Sequence, residues 1–505
     1  MSLNEAFFNI KNGLEVKENL LEIKNMLKDN VKGIKHKDAL LLLLGGDYSV
    51  FTEMLKSEDP KIRKNSAIVL GCLGIQENLP LIFEAYSKDQ TLYNKAAYVE
   101  AVKKHDYSEY RDALKDRFTQ LTSMTISEDE KKHYLDEMKQ LRSIFGNGKL
   151  VFKGYELPNE CILLTNRNFR ELTAEQLGKM PHREFTAGVM VKTNNLKSVL
   201  PIRTYDEILF IPEGTFADKT KSVHADVERA AKELIEGKIA EYILARVGFA
   251  GDKDVNDTGL KVKFRIDLRS KSITDNEFSK KLANELEIKS GFRMLNSPSD
   301  YDIELRLVEN SAGMLNVLVK FSILKDVRFS YRKETLAVSI KPYMAATLMA
   351  LAAPYFKKNA AVLDPFCGTG TMLIEREIAS SARLYYGVDI FGEAIEKAKI
   401  NTRLAGISKK TEFITRDFMD FVHEYKFDEI ITNMPFVTEG KNEKEIEGIY
   451  RGFFEKAENL LEKEGVIILY SRNPEFVKKY GKAFDTVSEF EISKYENSRL
   501  FILKN

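Results

Sequence analysis

Cysteine is scarce in this 505-residue chain. Its three thiols, Cys72, Cys161 and Cys367, are far apart and odd in number, which excludes a disulfide framework and a local CxxC metal site and leaves reduced thiols as the reading. Histidine is scarce too. The six residues, among them His182, His224 and His423, show no ligand spacing, so no metal is expected. Long apolar runs are missing: the longest, such as Ala345 to Pro354, fall short of the roughly 20 residues that a membrane helix needs. The opening MSLNEAFFNIKNGLEVKEN has neither a basic leader region nor a cleavage pattern, so a cytoplasmic protein is expected. No excess of either charge exists, with 77 Lys and Arg against 76 Asp and Glu, so any nucleic-acid footprint must be a local patch.

What is present fits soluble globular protein: 44% apolar and 30% charged residues, in a chain long enough for two to four domains. From Val31 to about Leu121 apolar residues recur at three and four spacing, which predicts helices. MLKSEDPKIRKNSAIVLGCL (Met54 to Leu73) realigns with EAYSKDQTLYNKAAYVEAVK (Glu84 to Lys103) at an offset of thirty, setting Asp59 over Asp89 and Ala67 over Ala97. Asp59 can cap the following helix, Pro60 suits its first turn, and Ala67 lets neighbouring helices approach. With Arg63, this pattern resembles HEAT repeats; a helical bundle without repeats is the alternative. Such a region binds or braces rather than catalyses.

Between about Lys149 and Lys333 short strand patterns alternate with helices. CILLTN (Cys161 to Asn166), FTAGVMVKT (Phe185 to Thr193) and EILFIP (Glu207 to Pro212) read as strands, with helical stretches around Phe169 to Leu177 and Asn195 to Ile202. After a helix expected from His224 to Val247, KVKFRIDLR (Lys261 to Arg269) alternates with Val262, Phe264, Ile266 and Leu268 on one face. A helix at Asp275 to Ile288 and strands at Tyr301 to Glu309 and Met314 to Ser322 complete a second α/β module. The order resembles a ferredoxin-like domain followed by a THUMP domain of RNA-modifying enzymes. The exit LKDVRFSYRKETLAVSIKPYMAATLMALA (Leu324 to Ala352) is similar to the linker that such enzymes place before a methyltransferase domain. The resemblance implies binding of a structured RNA, typically the acceptor end of tRNA. Lys325, Arg328, Arg332 and Lys333, interleaved with Phe329 and Tyr331, can contact phosphates and stack on bases. A solvated basic strand is the other reading.

AAVLDPFCGTGTMLIE (Ala360 to Glu375) reads as a short apolar strand, a glycine turn and an amphipathic helix, the first unit of a nucleotide-binding doubly wound sheet. Gly368 and Gly370 allow close backbone approach, and the helix N-terminus favours a negative group. A dinucleotide GxGxxG pattern would need glycine at Leu373, and a P-loop would need Gly-Lys-Ser/Thr; neither is present. DPFCGTGT, spanning Asp364, Pro365, Phe366, Cys367, Gly368, Thr369, Gly370 and Thr371, is closely similar to motif I of S-adenosylmethionine-dependent methyltransferases acting on amino groups of RNA or DNA. Further units follow in order. LYYGVDI (Leu384 to Ile390) ends in Asp389, where a carboxylate can accept both ribose hydroxyls, with Ile390 beside it. A helix at Glu393 to Ile407 leads to EFITRDF, where Asp417 and Phe418 fall at the position that contacts the adenine end of the cofactor in that family. DEIITNMPF (Asp428 to Phe436) ends in Asn433, Met434, Pro435 and Phe436, similar to the Asn-Pro-Pro-aromatic and Asn-Leu-Pro-Phe motif IV.

An exocyclic amine on a base is a poor nucleophile because its lone pair is delocalised into the ring. Accepting its two hydrogens on the Asn433 side-chain oxygen and the Met434 carbonyl returns density to nitrogen and aims the lone pair at the methyl. Phe436 can stack on a flipped base, and Pro435 fixes the turn. Two departures from the motif, Met434 for Pro or Leu and Val437 for Gly, point to a reshaped base pocket. Cys367 could be a nucleophile, but inside motif I a small packed residue is the better reading. KNEKEIEGIYR (Lys441 to Arg451) reads as a solvated helix face, although in the resembled enzymes this region skirts the substrate. Lys341-Pro342 resembles the segment packed near the methionine end of the cofactor.

The expected organisation is multidomain α/β: HEAT-like all-α repeats at 1–147, a ferredoxin-like plus THUMP RNA-binding region at 148–338, and a Rossmann-like class I methyltransferase domain at 339–505 using S-adenosyl-L-methionine. The resemblance points to the tRNA guanosine-N2 methyltransferases. Ribosomal RNA guanine N2, adenine N6 in RNA or DNA, and an inactive RNA-binding scaffold stay open. For the N-terminal helices, RNA contact, self-association and a protein partner stay open.

Overall fold

The computed structural model describes residues 2–29, 32–123, 128–145, 150–212, 227–250, 261–274, 276–311, 315–337, 339–437 and 443–505. The chain divides into two compact units. One comprises Met1–Leu150, Gly248–Val262 and Leu286–Leu295; the other comprises Val151–Val247, Lys263–Glu285 and Asn296–Asn505. The expected third part thus lies wholly in the second unit, whereas the expected second part is divided, with Gly248–Val262 and Leu286–Leu295 in the first.

The first unit is helical. Asp59 caps Pro60–Leu73 by accepting from the Lys61 amide at 2.7 Å, with Pro60 in the first turn. Thirty residues on, Asp89 accepts from the Thr91 amide at 2.8 Å before Leu92–Val102, and takes the Arg63 guanidinium on both oxygens at 2.9 Å. A Cβ at Gly71 would come within 2.7 Å of the Ala101 Cα, so these two helices approach closely through a second pair at the same offset. Leu20, Ile23, Leu70, Tyr98 and Val102 are among the side chains that fill the core between them.

In the second unit, the strands of the two expected α/β modules share one sheet. Seven of its eight strands run in the order His182–Phe185, Gly188–Thr193, Asn159–Thr165, Tyr205–Phe210, Leu315–Phe321, Ile303–Glu309, Val262–Arg269. The modules join where Val319 pairs with Phe210. The strand expected over Phe185 to Thr193 is instead the second half of a hairpin, because the chain turns between Phe185 and Gly188. A side chain at Gly188 would strike the Leu163 carbonyl, which only glycine avoids. The helix expected at Asn195 to Ile202 is reduced to one turn, Leu196–Ser198. The start of the helix expected from His224 lies outside the described residues.

The C-terminal sheet has seven strands: β1 Ala361–Asp364, β2 Leu384–Asp389, β3 Thr411–Thr415, β4 Phe427–Asn433, β5 Leu461–Ser471, β6 Asp485–Ser493 and β7 Ser498–Lys504. They run in the order β3-β2-β1-β4-β5-β7-β6, parallel except for antiparallel β7. Continuous burial along β1 and the C-terminal part of β5 marks strands covered on both faces. The order reverses between β1 and β4, so a crevice opens beyond their C-terminal ends, the usual ligand position in such sheets. The helix Thr371–Ala379 that follows β1 is pinned to β4 by a fully buried Arg376–Glu429 pair at 2.7 Å.

The linker between the sheets is clasped. Glu375, on that same helix, receives Arg203 at 3.0 and 2.7 Å and the Tyr331 hydroxyl at 2.6 Å. Arg203 also donates to the Arg328 carbonyl at 2.6 Å. Arg328 in turn donates to the carbonyls of Ile202 and Tyr205 at 3.0 and 2.7 Å and pairs with Asp326 at 2.7 Å.

Candidate active site

A cavity of about 740 Å³ fills the crevice, within the range of small-molecule sites. Motif I forms its floor. After β1 the chain turns through Gly368 and Gly370, both with positive φ (51° and 79°), which favours glycine; Gly368 lines the cavity, while Gly370 does not and donates its amide to the Cys367 carbonyl at 2.8 Å. Asp389, at the end of β2, accepts from the Gly368 amide on one oxygen and from the Phe391 amide on the other, each at 2.9 Å. Its carboxylate is thus held by backbone, and each oxygen keeps lone-pair capacity for a ligand.

Asp364 is 1% exposed. One oxygen accepts from the Phe366 amide at 3.2 Å; the other has no partner among the described residues. Burial pushes its carboxyl up to about 7. The neighbouring Cys367 thiol is pushed up by the same burial and by the adjacent carboxylates, so it stays protonated and packed.

Asn433 ends β4 at the cavity, and its side-chain amide makes no hydrogen bond among the described residues. The Met434 amide donates to the Tyr470 carbonyl at 3.0 Å, tying the turn to β5. Met434 lines the cavity and is also buried in the core cluster beneath, so this departure from the motif bears on packing as well as on the pocket. Asp417 accepts from the Met419 amide at 2.9 Å and lies exposed at the rim, while Phe418 packs edge-on to Phe366 beneath it.

Residues 330–496 match the family model described as RMKL-like, methyltransferase domain. The C-terminal sheet matches a methyltransferase family. Among curated relatives, a tRNA (guanine(10)-N2)-dimethyltransferase of Methanothermobacter thermautotrophicus is 30% identical over 26% of this chain and 38% of its own length. One from Methanocaldococcus jannaschii is 23% identical over 44% and 67%. The U6 snRNA (guanine-N(2))-methyltransferase THUMPD2 of Bos taurus is 31% identical over 22% of each chain. This chain spans 28% and 38% of the length of two of the curated relatives it matches.

The methyltransferase-like domain brings Asp364, Pro365, Phe366, Cys367, Gly368, Thr369, Thr371, Asp389, Ile390, Asp417, Phe418 and the Asn433–Phe436 turn around one cavity. The region expected to be a solvated face, Lys441 to Arg451, contributes to it as well: Lys441 and Asn442 lie outside the described residues, but Glu445, Gly448 and Ile449 of the helix Glu443–Leu460 line the wall. The expected RNA-binding quartet is not brought together. Lys325 and Lys333 are exposed, but the Arg328 side chain is 3% exposed and wholly engaged with carbonyls and Asp326, and Tyr331 is buried against Glu375. Arg332 is half-buried and donates to the Ile340 carbonyl. Arg328 and Tyr331 therefore brace the linker and cannot reach phosphate or base. His224 lies outside the described residues.

Sequence reasoning missed Asn401, on the helix Gly392–Leu404. Its side-chain oxygen accepts from the Lys333 and Glu334 amides, and its nitrogen donates to the Thr369 carbonyl at 3.1 Å. One buried amide thereby joins the linker to the glycine turn. Nothing local marks it, because its partners lie far away in the chain.

Proposed function

We propose that this protein transfers a methyl group from S-adenosylmethionine to the exocyclic N2 of guanine in a structured RNA, with tRNA as the first candidate. The observation that carries this reading is Asn433, whose unengaged amide stands at the end of β4 across one cavity from the backbone-held Asp389. The matched methyltransferase-domain model and the guanine-N2 relatives support it.

The residues fit the cofactor. The glycine turn leaves room for close approach, Asp389 offers acceptors to ribose hydroxyls, and the unpartnered, buried Asp364 oxygen offers an acceptor to a cationic ammonium. By the motif I resemblance, Pro365, Phe366, Cys367, Thr369 and Thr371 shape the same cradle, and Ile390, Asp417 and Phe418 hold the adenine end. The cofactor supplies a methyl bound to a positively charged sulfur. The chain's own work is orientation. Asn433 accepts one amine hydrogen and the Met434 carbonyl the other, Pro435 fixes the turn, and Phe436 stacks the flipped base. With the cofactor bound, its methyl would pass from sulfur to the amine nitrogen held by Asn433 and Met434, and the surplus amine proton would leave to solvent.

By this reading the middle sheet, with its ferredoxin-like and THUMP-like parts, carries RNA, and the exposed Lys325 and Lys333 take part in phosphate contact. The HEAT-like ladder of Asp59 and Asp89 supports a bracing or binding role for the N-terminal helices. The test is incubation of the protein and its Asn433→Ala variant with radiolabelled S-adenosylmethionine and bulk tRNA, rRNA or DNA, followed by nucleoside analysis. N2-methylguanosine from tRNA, lost in the variant, is expected; label in adenine or DNA, or none at all, overturns the reading.

A further inference from the structure

The ring at the end of the Asn433–Phe436 turn is already covered on one side. The Arg472 guanidinium carbon lies 4.3 Å from the Phe436 ring centroid. Arg472 also pairs with Glu496 at 3.1 Å. The three side chains come from three places: the exit of β4, the exit of β5 and the turn between β6 and β7.

The backbone on which they stand is fixed. The Met434 amide donates to Tyr470, next to the end of β5. The Ser471 hydroxyl bonds the Tyr450 hydroxyl at 2.7 Å and accepts from the Asn473 amide at 2.9 Å, so the chain on both sides of Arg472 is held. The long side chain of Arg472 is what could wander, and Glu496 restrains it. A planar guanidinium stacks on a ring in a way that a lysine ammonium does not. With one face of Phe436 taken, only the other is left for a base.

Charge gives Glu496 a second role. During methyl transfer positive charge passes from sulfur to the base, so a bare cation behind the ring would oppose the reaction. A paired one does not.

We propose that Arg472 is a positioning residue that acts through Phe436, with Glu496 as its brace and neutralising partner; this rests on the methyl-transfer reading above. The test is single-turnover transfer from radiolabelled S-adenosylmethionine to the RNA fraction labelled by the wild type, together with cofactor affinity. Arg472→Ala is expected to slow transfer about tenfold, in line with loss of one ring-stacking contact, and to leave cofactor affinity unchanged. Arg472→Lys should not restore the rate. In a Phe436→Ala background, Arg472→Ala should change nothing further. Glu496→Gln should slow transfer while Arg472 is present and have no effect once it is alanine. Additive losses in the double variant, or full rescue by lysine, would overturn the proposal and leave the methyl-transfer reading standing. A wild type that labels no RNA removes both. Should Arg472→Ala lose cofactor binding, the same cycle run with Arg472→Gln decides the matter.

Discussion

Asp364 and Glu375 flank the same glycine turn, and both side chains are almost completely buried, yet their surroundings are opposite. Glu375 is saturated: Arg203 takes both oxygens and Tyr331 adds a third bond. Asp364 has one backbone amide and an oxygen without a hydrogen bond among the described residues. The same contrast separates the linker from the cavity as a whole. In the linker, Arg328 has satisfied its donors on carbonyls and Asp326; at the cavity, Asp389 keeps acceptor capacity and Asn433 is unengaged. Buried polar groups whose partners are complete hold a fold together, whereas those left incomplete mark where a ligand completes them.

The comparison can be broken by removing one member of each class. Glu375→Ala should leave Arg203 and Tyr331 without their carboxylate and destabilise the second unit by about 3 kcal/mol, read as a lower urea midpoint, because breaking a buried pair strands the partner. Asn433→Ala should do the reverse: a loss of about 10²-fold or more in transfer rate, the scale for losing one preorganised polar contact in the transition state, with an unchanged urea midpoint.

Asp364 sharpens the contrast through pH. Its folded value of about 7 lies above the ordinary carboxylate value near 3.9, so the folded chain keeps a proton that the unfolded chain has released. That stabilisation is complete below about pH 4 and is lost as pH rises through 7. Asp364→Asn should remove a slope in unfolding free energy of at most about 1.4 kcal/mol per pH unit across this window, measured without cofactor. The smallest effects belong to the surface. Lys325→Ala and Lys333→Ala should each lower the salt dependence of RNA binding by about one charge, while Arg328→Ala should lower stability and leave that slope unchanged.

Much of the C-terminal site could be read in the sequence because its chemistry is local. The glycine turn, the carboxylate after β2 and the Asn-x-Pro-Phe turn are short segments whose residue types dictate their geometry. The parallel strands follow from the alternation of strands and helices, whereas antiparallel β7 between β5 and β6 had no such signal. Arg328 was misread for the converse reason: a run of basic and aromatic residues looks the same whether its guanidinium groups face water or backbone carbonyls. Asn401, Arg472 and Glu375 carried no signal, because each is defined by partners far along the chain. The union of the two expected modules into one sheet was equally invisible, resting on the pairing of Val319 with Phe210.

The clasp at Glu375 also bears on how such a protein can be inherited. Its members come from the loop at Arg203, the linker at Tyr331 and the cofactor-side helix, so a recombination event that cut near residue 338 would part a carboxylate from both of its donors. Exchange of the upstream sheet for another is viable only when the loop, the linker and the helix travel together. The joint between the two sheets is thus a single heritable block, and lineages carrying it are expected to diversify by altering surfaces on either side of it.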